Sequence, residues 1–186
     1  MITLFSSILI TPHAGWETAK KQADRKSVLI RYALPLILLT SAASFAGVII
    51  ENDAWLWEMG LKKFTVTLLT LFFSIYIAAF CIKVTFNQMF NESYPLSKIL
   101  VFTIYSFSCV FAVRFLDELF EDMFFIGVFT LYTIYIVYEG VSVFLDITAK
   151  KLYSKKILFT VIASLIIIAC PNIIKDAVLM IMPGLR

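Results

Sequence analysis

Apolar positions gather into five long runs separated by short polar stretches, a pattern that predicts five membrane-length helices. The runs cover Val28–Ile50, Phe64–Ile82, Ile99–Phe115, Met123–Leu145 and Ile157–Ile174, the last extendable to Met182. Crossing the hydrocarbon core of a bilayer takes roughly 17–25 mostly apolar helical residues. Each run meets or nearly meets that length. The expected fold is therefore all-α: a polytopic membrane protein with five transmembrane helices in one bundle. Residues 1–27 form an N-terminal segment and residues 28–186 the transmembrane domain. Composition agrees, with 61% hydrophobic residues, 16% charged residues and a mean hydropathy of +0.91. Soluble domains average about 45–50% and 25%. The connections are too short to hold a separate soluble domain.

Within the N-terminal segment, Met1–Ile10 is apolar but too short to span. Basic residues follow it rather than precede it, the reverse of a secretory signal, so it reads as a stretch at the membrane surface. Thr11 can cap a helix with Pro12 at its first position. The result is a short interfacial helix over residues 12–25, with Trp16 beside Lys20, Lys21 and Arg25. Two readings stand: a helix lying on an anionic leaflet, and an ordinary basic flank of the first span.

Charge sets the expected orientation. With the N-terminus in the cytoplasm, the inner side holds Lys20, Lys21, Arg25, Lys26, Arg31, Lys83, Lys98, Lys150, Lys151, Lys155 and Lys156, eleven of the sixteen basic residues. The outer side holds Lys62, Lys63, Arg114, Lys175 and Arg186. Short loops rich in Lys and Arg stay cytoplasmic. Asp117, Glu118, Glu121 and Asp122 form an acidic outer hairpin, and Trp55 and Trp57 fall in the outer aromatic belt. A net charge of +3, so distributed, argues for orientation and not for nucleic acid as a partner.

Ionisable residues inside spans are costly and are functional candidates by default. Glu139 is the clearest. Tyr132, Tyr135, Glu139, Ser142 and Asp146 follow a 3–4–3–4 spacing, which places them on one helix face, expected to point into the bundle. Arg31 and Lys83 lie at comparable depth as partners. The stripe reads either as a buried pair that fixes helix register or as a polar cavity for a lipid headgroup, ion or proton. A second cluster gathers on the outer side: Arg114 with Asp117 and Glu118 at i+3 and i+4, and Lys175 and Asp176 after Pro171. Pro171 removes a backbone hydrogen bond. It marks either a broken helix lining a vestibule or the end of a span. Pro35 is placed to kink the first span. Ala43 with Gly47, and Ser74 with Ala78, give the small-xxx-small spacing that allows close helix packing.

Absences narrow the chemistry. His13, the one histidine, precedes the first span and reads as a surface residue. An intramembrane Ser–His dyad, an HExxH zinc site and bis-histidine haem ligation have no residues to use. Neither a dinucleotide nor a P-loop glycine motif occurs. Cys81, Cys109 and Cys170 lie in separate runs without metal-ligand spacing and read as packing residues. No catalytic residue, metal ligand or cofactor is implied, and an enzyme is not expected.

Three stretches resemble the short bacterial branch of the YIP family, the Ypt/Rab-GTPase-interacting membrane proteins. Thr-Pro-His-Ala-Gly-Trp at 11–16 is similar to a Pro-x-x-x-Trp segment before that family's first span. Leu-Tyr-Thr-Ile-Tyr-Ile-Val-Tyr-Glu-Gly at 131–140 resembles its Tyr-rich fourth span, and Lys-Lys-Ile-Leu-Phe-Thr-Val-Ile-Ala-Ser at 155–164 its lysine-led fifth. The resemblance implies a five-span, multi-pass protein of a bacterial plasma (inner) membrane, without enzymatic activity. Eukaryotic members of such families act in vesicle trafficking with prenylated GTPases. This chain lacks their long acidic N-terminus and Asp-Leu-Tyr-Gly-Pro motif, so GTPase binding does not carry over. The leading expectation is a protein that organises membrane lipids, a membrane protein partner or copies of itself. The rival is a small channel or transporter built on a cavity around Glu139.

Overall fold

The computed structural model describes residues 2–21, 25–52, 57–91, 94–120, 124–147 and 153–182. Those residues are 93% helical, without strands. In chain order the helices are α1 (Ile2–Ile10), α2 (Pro12–Lys21), α3 (Arg25–Val28), a π turn (Leu29–Ala33), α4 (Leu34–Asn52), α5 (Trp57–Phe90), α6 (Leu96–Ser106), α7 (Ser108–Leu119), a 3₁₀ helix (Phe124–Leu131), α8 (Tyr132–Val143) and α9 (Tyr153–Ile181).

Three helical stretches are long and apolar enough to cross a membrane: Leu29–Ile50, Trp57–Phe90 and Tyr153–Ile181. A fourth is if α6 and α7 count as one span. Their outward faces carry large apolar side chains, including Leu38, Leu39, Phe73, Phe80, Leu158 and Leu165. Contiguous exposed apolar surface of this kind belongs against lipid or another protein.

The remaining differences from five straight helices have local causes. Pro35 cannot donate a backbone hydrogen bond to Arg31. The chain absorbs this with the π turn just before it, where the Leu34 amide bonds Leu29, five residues back. The third run bends by 43° at Phe107. Ser108 Oγ donates to the Tyr105 carbonyl at 2.5 Å, a local bond that competes with the helical ladder. The fourth run is a 3₁₀ segment followed by the short α8, and its apolar stretch Gly127–Val143 is shorter than the spans above. The fifth is unbroken. Pro171 lies inside α9, which continues to Ile181, so the broken-helix reading is not met.

α5 is central, packing on α4, α6 and α9; α4 also packs on α7, and α8 on α9. Both small-xxx-small pairs lie in these seams. Ser74 and Ala78 are fully buried, and Cys170 Sγ on α9 lies 3.5 Å from the Ser74 carbonyl. At Gly47 a Cβ would sit 2.0 Å from the Glu118 carbonyl oxygen of α7, so α4 and α7 touch through backbone. The three cysteines are free thiols.

The N-terminal segment departs most from expectation. α1 and α2 meet at a tight corner at Thr11, where a Cβ on Gly15 would lie 2.8 Å from the Ile8 backbone. The pair packs into the bundle, α2 on α8 and α1 on α7. Ile8, Trp16 and Ala19 have no exposed surface. Trp16 is therefore a core residue and not an interface anchor. Trp57, by contrast, is exposed, as an anchor would be, and Trp55 lies outside the described residues.

Gly47→Ala should overpack the α4–α7 seam at a cost of about 1–3 kcal/mol. A lowered melting temperature of the purified protein in detergent is the expected readout; an unchanged one would contradict the close approach.

Candidate functional site

The α8 residues that face the core are Thr133, Ile136, Val137, Gly140 and Val141. That leaves the opposite, polar side at the edge of the bundle, which corrects the inward-pointing stripe. Tyr132 and Tyr135 are 37% and 47% exposed. Their rings pack at 5.6 Å, and Tyr132 Oη donates to the Leu9 carbonyl at 3.0 Å. Ser142 Oγ bonds the Tyr138 carbonyl of its own helix. Asp146 lies beyond the end of α8, where its φ of 58° turns the chain. Asp is one of the few residues that adopts that conformation readily.

Glu139 meets neither Arg31 nor Lys83. Its partner is His13, with Nδ1 3.0 Å from Glu139 Oε2. The other ring nitrogen lies 3.7 Å from Glu17 Oε1, one turn along α2. Lys20 Nζ then reaches Asp146 Oδ1 at 2.5 Å. His13, Glu17 and Lys20 share one face of α2 by their spacing. The seam between α2 and α8 is thus laced by alternating charge, with Glu139 mostly buried and His13 largely exposed. Arg31 is exposed at the start of the first span and Lys83 half-buried on α5.

Beneath the charged seam, Trp16 fixes the same two helices. Its Nε1 donates to the Ile136 carbonyl at 2.8 Å. Its ring stacks on Phe102 at 5.3 Å and contacts Tyr105 and Phe144. Gly140 makes room, since a Cβ there would lie 2.5 Å from the indole. Tyr105 continues the contact chain to Tyr32 and Phe5, and Tyr32 Oη lies 2.6 Å from Ser108 Oγ. A tryptophan buried with its N–H satisfied is a large packing asset.

Of the cluster expected on the outer side, Arg114 and Asp117 come together, whereas Glu118 turns to another helix and Asp176 stands apart. Arg114 on α7 donates to Asn172 Oδ1 on α9 and lies 3.8 Å from Asp117. Glu118 is buried and pairs with Lys63 of α5 at 3.9 Å. It is therefore part of a helix interface and not of an acidic loop; Glu121 and Asp122 lie outside the described residues. Arg114, Glu118, Pro171 and Lys175 line one cavity of about 20 Å³. Arg114, Asp117 and Asn172 line a larger one of about 300 Å³ between α7, the 3₁₀ segment and α9. Asp176 is exposed and outside these contacts. Among the described residues no group of His, Cys, Asp and Glu is arranged to hold a metal ion.

Sequence reasoning gives Glu17, Lys63 and Lys156 no role in a site and reads His13 as a surface residue without a partner. For α2 the signal existed, because Pro12, Gly15, Trp16 and Ala19 form a buried stripe opposite the charged one. No family model, curated protein or solved structure matches the chain.

Truncating Trp16→Ala should cost about 3–5 kcal/mol, as large buried aromatics do. Gly140→Leu should expel the indole and raise protease cleavage near residues 12–21. If that segment stays protected in Gly140→Leu, the docking geometry is wrong. A double-mutant cycle on His13→Ala and Glu139→Gln should give a coupling of about 0.5–1 kcal/mol, read from thermal or denaturant unfolding.

Proposed function

We propose that the chain is a non-enzymatic, multi-pass membrane protein of the YIP type that organises membrane lipids, a membrane protein partner or copies of itself. In this reading it crosses a plasma membrane five times with its N-terminus inside. The observation that carries the proposal is convergence. The three stretches that bear the YIP resemblance touch one another: Trp16 docks on Gly140, His13 meets Glu139, and Lys156 Nζ lies 3.8 Å over the Tyr138 ring. Motifs far apart in sequence that form one contact network are the parts a shared architecture would need.

The five-span count also gains support from length. The 3₁₀ segment contributes about 16 Å at 2.0 Å per residue and α8 about 18 Å at 1.5 Å per residue. Together they match a hydrocarbon core of about 30 Å.

The transporter reading is the weaker one. Glu139 is held at the bundle edge by an exposed helix face, and the core beside it is filled by Trp16, Phe102, Tyr105 and Phe144. Purified protein in liposomes should pass neither protons nor common ions, and should co-purify with lipid, a partner or itself. Ion flux abolished by Glu139→Gln would replace this proposal with the transporter. A bare monomer indifferent to lipid would remove it.

A further inference from the structure

We propose that the groove between α8 and α9 binds an anionic phospholipid, with the phosphate at Lys156 and one acyl chain lying along the groove. This rests on the reading that the start of α9 lies at the cytoplasmic membrane surface. The groove has a volume of about 500 Å³, and Tyr135, Tyr138, Tyr153, Ile157, Thr160 and Val161 are among the residues that line it. From Tyr153 to Val161 it follows α9 for eight residues, about 12 Å at 1.5 Å per residue, a length suited to the upper part of an acyl chain. Ile157 and Val161 are each 41% exposed, so the apolar stretch opens outward to lipid.

The polar end carries an unmet charge. Lys156 is only 9% exposed, and its ammonium sits on Tyr138, a wall of the groove. Among the described residues, no carboxylate lies within ion-pair distance of it. Removing an ammonium from water is expensive unless an anion compensates, and a ring face supplies part of that compensation. Its neighbour Lys155 is already engaged, donating to the Met89 carbonyl at the end of α5 at 2.9 Å. One turn deeper, Thr160 is 2% exposed and its hydroxyl has no hydrogen-bond partner. A buried cation against the Tyr138 wall of an apolar trough, which an unsatisfied hydroxyl also lines, is the complement of a negatively charged headgroup, its ester region and a chain.

Native mass spectrometry of the detergent-purified full chain tests this, using phosphatidylglycerol and phosphatidylcholine with identical chains. Wild type should retain phosphatidylglycerol over phosphatidylcholine by about fivefold, the scale of one basic group meeting an anionic lipid. Lys156→Gln should bring that ratio near one, Lys156→Arg should keep it, and Val161→Trp, which fills the trough, should lower retention of both lipids. Lys20→Gln, on the α2–α8 seam, should leave the ratio intact. An unchanged ratio in Lys156→Gln, or an equal loss in Lys20→Gln, would overturn the groove assignment while leaving the lipid-organising reading standing. Wild type that holds neither lipid would overturn the assignment too; self-association or a bound partner in the same spectra then decides the broader reading separately.

Discussion

The docking of the N-terminal corner, α1 and α2, centres on one contact, the indole of Trp16 seated where Gly140 has no side chain. A membrane interior offers little hydrophobic drive for one helix to join another, because lipid is as apolar as the neighbour. Shape and hydrogen bonding must do the work instead. Here both act together: Gly140 allows the approach and the Ile136 carbonyl, one turn back on the same face, accepts the indole N–H. The charged pairs above, His13 with Glu139 and Lys20 with Asp146, fix the register of α2 along α8. They add direction to an attachment that packing makes strong.

The two polar clusters differ in kind. Along α2 and α8 the charges are simply paired and, Glu139 apart, exposed, an arrangement that contributes little stability for each pair. At α5, α7 and α9, buried Glu118 is tied to Lys63, and Arg114 is tied to Asn172. α4 joins these three helices through the close backbone contact at Gly47. Removing one partner from a buried set leaves an uncompensated charge. That cluster therefore reads as an architectural clasp, whereas the α2–α8 seam holds its charges in pairs at the bundle edge.

Much of the fold was legible in the sequence because apolar length is a direct physical requirement. The first, second and fifth runs became helices of spanning length, and Ala43–Gly47 and Ser74–Ala78 fell in helix seams. The Arg114–Asp117 pair was legible from i+3 spacing, whereas Glu118, at i+4, turns to Lys63. What escaped was the identity of facing helices. Glu139 was given cationic partners by depth, but depth does not say which helix lies alongside. His13 is a surface residue, as its place before the first span suggests, but that place does not say that α2 brings it to Glu139. Trp16 reads as an anchor from its basic neighbours, and the gap that makes it a core residue lies at Gly140, 124 positions away by subtraction of residue numbers.

That separation has a consequence for biogenesis. The indole of Trp16 and its acceptor at Ile136 are 120 residues apart in the chain, and Lys20 and Asp146 are 126 apart. α2 is synthesised long before the surface it docks on has left the ribosome. Until α6 and α8 are made, its apolar stripe lacks the surface that covers it in the folded chain. Assembly must then close a loop that encloses most of the polypeptide, a slow, non-local step, and translation that stalls before residue 140 would leave the N-terminal corner undocked.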